Sequence, residues 1–151
     1  MQLAHPKKLV IDIAGEASVL MTMQEMSTAV QYNLPIKIFI LNNQYMGMVR
    51  QWQELLHEKN YSESYSEALP DFVKLADAYG CKGIKAEKPE ELDMKIKEMV
   101  DHNGPVIFDC HVDPSENCFP MIPSGKPHNQ MLLGPKDQEE NKITGKGKAL
   151  V

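Results

Sequence analysis

The sequence predicts an α/β fold in which a mostly parallel sheet carries helices on both faces. Short apolar segments rich in β-branched residues recur along the chain, and segments whose apolar residues have helical spacing separate them. The first group is a strand, a helix and a second strand within about thirty residues, which is typical of a right-handed βαβ unit. Because the alternation continues, we expect a parallel sheet between two layers of helices.

The first half of the chain contains two segments that predict buried strands, at residues 9–13 and 36–41. Between them, Thr22 and Glu25 have the spacing of a capping box, in which a hydroxyl and a carboxylate satisfy backbone donors at the start of a helix. Apolar residues at helical spacing follow, so a helix is expected to begin there and to continue to residue 34.

The second half of the chain continues the alternation up to residue 112. Helices are predicted within 48–57 and over 70–79 and 89–102. Strands are predicted at 83–86 and 106–112, since both segments are short and apolar.

Beyond residue 113 the composition changes. This stretch contains many residues that interrupt regular structure, namely Pro114, Pro120, Pro123, Gly125, Pro127, Gly134 and Pro135. From residue 136 onward the chain is mainly polar. We therefore expect an α/β domain over residues 1–113, and a Pro/Gly-rich arm with a polar tail over residues 114–151.

Composition excludes two classes of function. The net charge of −5 argues against a nucleic-acid-binding protein, which needs a clustered basic face. No apolar segment approaches the roughly 20 residues that span a bilayer, and the first residues lack the pattern of a signal peptide. The three cysteines form no CxxC pair, and an odd number of them suits reduced thiols in a cytoplasmic protein.

The start of the chain also bears on the fold. The first predicted strand begins about eight residues from Met1, with no helix before it, so this strand would be poorly flanked. Either the chain is a small four-stranded domain, or it is the N-terminally truncated remainder of a larger one.

Polar residues follow both strands of the βαβ unit. Residues 15–18 follow the first strand and residues 42–47 follow the second, and ligands bind at the carboxyl ends of such strands. The Glu16 carboxylate, the Asn43 amide oxygen and a loop carbonyl would form a set of oxygen ligands suited to Mg²⁺. Ser18 would add an anion-binding donor. The alternative is that Glu16 is a solvated turn residue and that Asn42-Asn43 only ends a strand.

The two clusters resemble the signature of thiamine-diphosphate enzymes, a Gly-Asp-Gly-like triplet followed some two dozen residues later by Asn-Asn. Here these motifs are Gly15-Glu16-Ala17 and Asn42-Asn43. The flanking segments, at residues 21–26, 47–53 and 70–76, are similar to the catalytic (large) subunit of acetolactate synthase. The resemblance runs from about residue 2 to about residue 122 and implies the thiamine-diphosphate-binding fold.

The resemblance assigns roles residue by residue. It implies metal ligands at Glu16, Asn43 and the backbone carbonyl of Tyr45, although the family has Asp where this chain has Glu16. Residues at matching positions would bind the cofactor, namely Gly15, Ala17, Ser18, Met46, Gly47, Met48 and Val49. Trp52 matches a tryptophan at the substrate channel. No catalytic residue is expected on this chain, because the activating glutamate of the family lies on a separate domain.

The implied activity is the condensation of two 2-oxo acids, pyruvate with pyruvate or with 2-oxobutanoate, with loss of CO2 in branched-chain amino-acid biosynthesis. Thiamine diphosphate and Mg²⁺ would be the cofactors, with FAD only in the full-length enzyme. The implied partners are the remaining N-terminal domains or a companion chain, within a homodimer, and the resemblance leaves room for a regulatory small subunit. The isolated chain is expected to be inactive.

Two alternatives remain open at this stage. The chain could belong to another thiamine-diphosphate carboligase or decarboxylase, such as glyoxylate carboligase. It could also be a non-catalytic interaction domain with a vestigial cofactor site.

Overall fold

A parallel sheet lies at the centre of the computed structural model, which describes residues 1–134. Its strands in chain order are β1 (Ile11–Gly15), β2 (Lys37–Asn42), β3 (Lys82–Ala86) and β4 (Val106–His111). Their order across the sheet is β1-β2-β4-β3, and each neighbouring pair is parallel. Within the described residues, β4 therefore lies inside the sheet, and β1 and β3 form its edges.

Helices connect these strands. They are α1 (Glu16–Thr22), α2 (Glu25–Gln31), α3 (Gly47–Leu56), α4 (Phe72–Tyr79) and α5 (Leu92–Asp101). Short 3-10 turns at Pro89–Glu91 and His128–Gln130 complete the regular structure of the described residues. The alternation of strands and helices matches the prediction, with bounds that differ by a few residues.

The two faces of the sheet pack against different helices. On one face the buried side chains come from α1, α2, β2, α4 and β4: Val19, Met26, Ile40, Phe72, Ala76 and Ile107. On the other face they come from β3, α5 and β4: Ile84, Ala86, Met99, Val106, Phe108 and Cys110. Because successive residues of β4 face opposite sides of the sheet, this strand contributes to both cores. The predicted α/β architecture with helices on both faces is confirmed.

Helix α4 has defined ends. The Asp71 side chain accepts hydrogen bonds from the backbone N–H groups of Val73 and Lys74, both at 3.0 Å, as an N-cap residue does. Gly80 ends the helix in the left-handed region at φ 79°, where glycine has no steric penalty. The prediction that this helix begins at Pro70 was two residues early, since Asp71 provides the cap.

The predicted capping box at Thr22 and Glu25 is wrong. Thr22 is the last residue of α1, and its hydroxyl donates to the backbone carbonyl of Ser18 at 3.5 Å. Glu25 begins the separate helix α2, which has no side-chain hydrogen bond at its N-cap. The residues after β1 therefore form two short helices instead of a turn and one long helix.

The prediction that the first strand is buried is also wrong. Ile11 and Ile13 in β1 are 42% and 69% exposed. Strand β1 lies at an edge of the sheet, whereas α5 packs against β3 near the opposite edge. An apolar β-branched segment predicts a strand, but its burial depends on which helix covers it.

The chain divides into two compact units. The first comprises Met1–Gln44 and Glu67–Pro114 and contains the whole sheet. The second comprises Tyr45–Ser66 and, among the described residues, 115–134, and it contains α3. The boundary predicted at residue 113 stays a prediction, and the polar tail from residue 136 lies outside the described residues. None of the helices within residues 1–134 combines the length and hydropathy required to cross a membrane.

Candidate functional site

Two polar segments, one after β1 and one after β2, lie side by side at the carboxyl end of the sheet in the first unit. Strands β1 and β2 are parallel neighbours, and Gly15 is paired with Leu41. Glu16 follows directly after β1, and Asn43 directly after β2. The fold therefore brings these two segments to the end of the sheet at which parallel sheets bind ligands.

Glu16 is buried at the junction of β1 and α1. The strand passes into the helix without an intervening loop, with Gly15 as the N-cap residue, and the Glu16 side chain is 1% exposed. A buried carboxylate is costly unless hydrogen bonds, an ion pair or a metal ion compensates it, and the start of a helix favours negative charge. Glu16 is therefore not a solvated turn residue, which removes one of the alternatives left open by the sequence.

Ser18 lies beside a small cavity. Gly15 and Ser18 line it together with Asp12 and Thr22, and its volume is about 340 Å³. Ser18 is exposed and Ala17 is half-buried. Gly15 has an extended backbone, and a Cβ added there would have no heavy atom within 4 Å. The carboxyl end of β1 is therefore open to a ligand of modest size.

Asn42, the last residue of β2, holds the turn that contains Asn43. Its side chain is buried, with 5% of the residue exposed. The Asn42 amide nitrogen donates to the Asp109 carboxylate at 2.9 Å, and its amide oxygen accepts from the backbone N–H of Gln44 at 3.2 Å. Gln44 has φ +60°, a left-handed conformation that needs local support in a residue with a side chain. Asn42 is thus more than a common strand ending.

Asp109 is a buried acid within the apolar strand β4. It is 5% exposed, and its second carboxylate oxygen lies 3.2 Å from Nε2 of His111. Asn42 pairs directly with His111 across β2 and β4, and Asp109 lies two residues before His111 on the same face.

Sequence reasoning missed this cluster, although an acid inside an otherwise apolar strand was a usable signal. Its electrostatic environment includes Lys85 on β3. The hydrogen bond to Glu87 raises the pKa of the Lys85 ammonium, and the negative charge of Asp109 adds to this effect.

In the second unit, two buried side chains of α3 bind the segment that begins at Ser115. The Arg50 guanidinium donates to Glu54 at 2.6 Å and to the carbonyl oxygen of Ser115. The Gln51 side chain donates to the carbonyl of Cys118 at 3.1 Å and accepts from its N–H at 2.7 Å. The part of the arm nearest Ser115 is therefore fixed to α3.

The opposite side of α3 lines a mainly apolar cavity of about 680 Å³. Trp52, Met48 and Val49 contribute to its wall, so three of the predicted site residues share one cavity. Met48 and Val49 are themselves about half exposed. A cavity of this volume is typical of a site for a small organic molecule.

Tyr45 begins the second unit. Its ring packs against that of Tyr65 with centroids 4.9 Å apart, and the Arg50 guanidinium lies 5.7 Å from its ring centroid. The backbone N–H of Met46 donates to the Ser64 carbonyl at 2.8 Å. These contacts fix the chain immediately after the Asn43 turn.

The predicted site residues are thus divided between the units. Gly15, Glu16, Ala17, Ser18 and Asn43 belong to the first unit, whereas Tyr45, Met46, Gly47, Met48, Val49 and Trp52 belong to the second. Within residues 1–134 no three His, Cys, Asp or Glu side chains are grouped to hold a metal ion. A cation at Glu16 would therefore depend on one carboxylate supplemented by amide or carbonyl oxygens.

Comparison with known proteins gives concordant results. A family profile described as "Thiamine pyrophosphate enzyme, C-terminal TPP binding domain" matches residues 1–110. The acetolactate synthase large subunit of Cyanidium caldarium is 47% identical, over 87% of this chain and 23% of that protein. The mitochondrial acetolactate synthase catalytic subunit of Saccharomyces cerevisiae is 50% identical, over 82% of this chain and 18% of that protein.

Among solved structures, a thiamine diphosphate-dependent 4-hydroxybenzoylformate decarboxylase of Rhodococcus jostii RHA1 is similar, with a TM-score of 0.67 and 28% identity. The match covers 76% of this chain and 22% of that one. This chain thus spans less than a quarter of the length of each of these three proteins.

Proposed function

The chain belongs to the family of thiamine pyrophosphate enzymes, as a C-terminal TPP-binding domain, and we propose that it is the cofactor-binding part of an acetolactate synthase catalytic subunit. The observation that carries the proposal is that Glu16, the first residue of α1, and the turn that contains Asn43 follow neighbouring parallel strands at the carboxyl end of the sheet. Relatives that are 47% and 50% identical and bear this name support it. The proposed overall reaction joins two 2-oxo acids, pyruvate with pyruvate or with 2-oxobutanoate, and releases CO2.

The residues at the carboxyl ends of β1 and β2 fit a Mg²⁺ ion that binds the diphosphate of the cofactor. Mg²⁺ prefers oxygen ligands and keeps coordination sites for water and phosphate, and Glu16 and Asn43 provide a carboxylate and an amide oxygen. The Glu16 side chain has one methylene more than the Asp of the family motif. Because Glu16 is the first residue of α1, the helix fixes the position of its backbone. The role of Tyr45 as a third ligand stays a prediction, because this residue belongs to the other unit.

Thiamine diphosphate, when bound, supplies the electron sink for decarboxylation, and the protein supplies binding, orientation and exclusion of water. Ser18 and the backbone around Gly15 would bind the diphosphate beside the cavity that they line. The apolar wall formed by Met48, Val49 and Trp52 would exclude water from an organic substrate. This chain would therefore hold the cofactor but would not activate it.

Activation would depend on groups supplied by other polypeptide segments. We propose that a glutamate and FAD are held by further domains or by a companion chain, within a homodimer, and that the 151-residue chain alone forms no acetolactate. Incubating the purified chain with pyruvate, Mg²⁺ and thiamine diphosphate tests this directly. Formation of acetolactate would contradict the proposal. The regulatory subunit and the cytoplasmic location stay predictions.

Binding calorimetry with thiamine diphosphate tests the cofactor site. We expect binding that requires Mg²⁺, is weakened at least tenfold by Glu16→Ala, and is retained by Glu16→Asp, because the carboxylate remains. Glu25→Ala is the matched control, since Glu25 is an exposed acid in the first turn of α2. If binding were absent, or equal in the Glu16→Ala variant, a non-catalytic domain with a vestigial site would be the better description.

A second thiamine-diphosphate activity is the remaining alternative. The similar solved structure is a decarboxylase, but its 28% identity is well below that of the relatives named as acetolactate synthases. Mixing the chain with the complementary domains of an acetolactate synthase distinguishes the two. Acetolactate would support the first proposal, whereas acetaldehyde alone would support a decarboxylase.

A further inference from the structure

We infer that Asp109 and Asn42 are positioning residues for the turn that carries Asn43, and that they act through a hydrogen-bonded relay outside the predicted ligand set. This inference rests on the proposed function, because it assigns a role in holding the Mg²⁺ ligand Asn43. Its structural part can be tested without any cofactor.

The relay runs from β4 to the turn after β2. His111 Nε2 lies 3.2 Å from one Asp109 oxygen, and the other Asp109 oxygen accepts from the Asn42 amide nitrogen at 2.9 Å. The Asn42 amide oxygen then accepts from the Gln44 N–H at 3.2 Å. Asn43 lies between the two ends of this last hydrogen bond, so its backbone conformation depends on the orientation of the Asn42 amide.

Asp109 determines that orientation. An amide group can rotate so that its oxygen and nitrogen exchange places, and then the Gln44 N–H would face an NH₂ group instead of an oxygen. Because the Asp109 carboxylate accepts hydrogen bonds but cannot donate one when ionised, it holds the nitrogen of Asn42 on its own side. The oxygen is thereby left for the turn.

The turn needs this support because Gln44 has φ +60°. A residue with a side chain occupies this region only when its surroundings stabilise it. The backbone carbonyl of Asn42 is bound separately, by the N–H of Val112 at 3.0 Å. The strand pairing and the turn are therefore held by different groups of the same residue, which allows them to be measured separately.

A polar cavity of about 240 Å³ adjoins the relay and is lined by both Asn42 and Asp109. If the Asp109 carboxylate is removed, water can enter this space and hydrogen-bond to the Asn42 amide from either side. The chain is expected to fold, but only the Gln44 N–H would then favour one orientation of the amide.

Swapping the two residue types between positions 42 and 109 tests the relay. In the double variant Asn42→Asp/Asp109→Asn, the donor and acceptor are exchanged: the amide at position 109 donates to the carboxylate at position 42, which still accepts from Gln44. The amide oxygen at position 109 remains available to His111. The double variant therefore restores every hydrogen bond of the relay.

Amide hydrogen exchange of the cofactor-free chain, followed by NMR, is the first readout. We expect exchange of the Gln44 N–H to be roughly tenfold faster in Asp109→Ala, the scale of one lost hydrogen bond, and to stay within about threefold of the original rate in the double variant. The Val112 N–H should be unchanged. Unchanged Gln44 exchange, equal acceleration of Gln44 and Val112, or no recovery in the double variant would overturn the relay.

The Mg²⁺ concentration for half-maximal thiamine diphosphate binding is the second readout. It should rise about tenfold in Asp109→Ala and recover in the double variant. If the unaltered chain binds and Asp109→Ala binds equally at every Mg²⁺ concentration, the relay does not position a ligand, whereas the proposed function stands. If the unaltered chain does not bind at all, the proposed function fails, and the exchange rates alone decide whether the relay holds the turn.

Discussion

Substitution of Gly83 by alanine should destabilise the protein through one close approach between backbones. Gly83 lies in β3 directly against α4, and a Cβ added there would be 2.8 Å from the Cα of Val73 and 2.9 Å from its carbonyl oxygen. Carbon atoms pack at about 3.5–4.0 Å, so the helix and the strand must separate by about 0.7–1.2 Å. Because backbone atoms form the contact, no change of rotamer can relieve it.

The expected cost is about 1–3 kcal/mol, the range for overpacking a well-packed core. It outweighs the roughly 0.5–1 kcal/mol that alanine gains over glycine within a regular element. Urea unfolding followed by far-UV circular dichroism measures the difference.

Two matched glycines serve as controls. Gly15→Ala places a Cβ where no heavy atom lies within 4 Å, so it should leave stability unchanged or slightly raised. Gly104→Ala meets mainly the imidazole of His102, at 2.9 Å, and that ring can rotate away. Val73→Ala should not rescue Gly83→Ala, since the closest contacts are to the backbone. A Gly83→Ala variant as stable as Gly15→Ala would refute this reasoning.

Three further changes test the packing and electrostatics of the fold. Phe108→Ala should lower the free energy of unfolding in urea by about 3–5 kcal/mol. Phe108 is fully buried, and its ring meets that of Phe39 edge-on at a centroid distance of 4.7 Å. A loss below about 1 kcal/mol would show that the core had collapsed around the cavity. Asp71→Ala should lower the urea midpoint through loss of the α4 cap, whereas Asp71→Asn should keep a midpoint close to that of the unaltered protein. The pKa of His102 is lowered, chiefly by burial and further by the positive charge of Lys37, so the folded protein resists protonation there. Stability should therefore fall as the pH drops through about 6.5, the value for an unperturbed histidine, and should level off below the lowered folded-state pKa. His102→Gln should remove this slope, and an unchanged slope would assign it to other groups.

The order of strands and helices could be predicted from the sequence because it depends on local patterns. Segments 36–41 and 106–112 are short and apolar, and they form β2 and β4 within one residue of the predicted bounds. The Gly80 end of α4 was predictable for the same reason, since glycine is strongly favoured at a left-handed helix end.

Features that depend on tertiary contacts could not be predicted. The exposure of Ile13 follows from which side of the sheet α5 covers. The capping box was instead wrong for a local reason: the same residues also suit the end of α1, where the Thr22 hydroxyl donates back to Ser18. For the candidate site, the resemblance suggested the two turns, but the contact of Asn42 with Asp109 joins residues 67 positions apart. Only the order of the strands brings them together.

The position of β4 inside the sheet has a consequence for how the chain folds. Strands β2 and β3 do not pair with each other; both pair with β4, whose Val106, Ile107 and Phe108 have no exposed surface. During synthesis, β1 and β2 can associate early, but β3 has no neighbour in the sheet until the segment from Val106 to His111 has left the ribosome. Pairing across such long stretches of chain is slow, and the open edge of β2 would meanwhile be exposed to other strands. The nascent chain should therefore acquire protease resistance abruptly, when β4 becomes available, and not gradually with length.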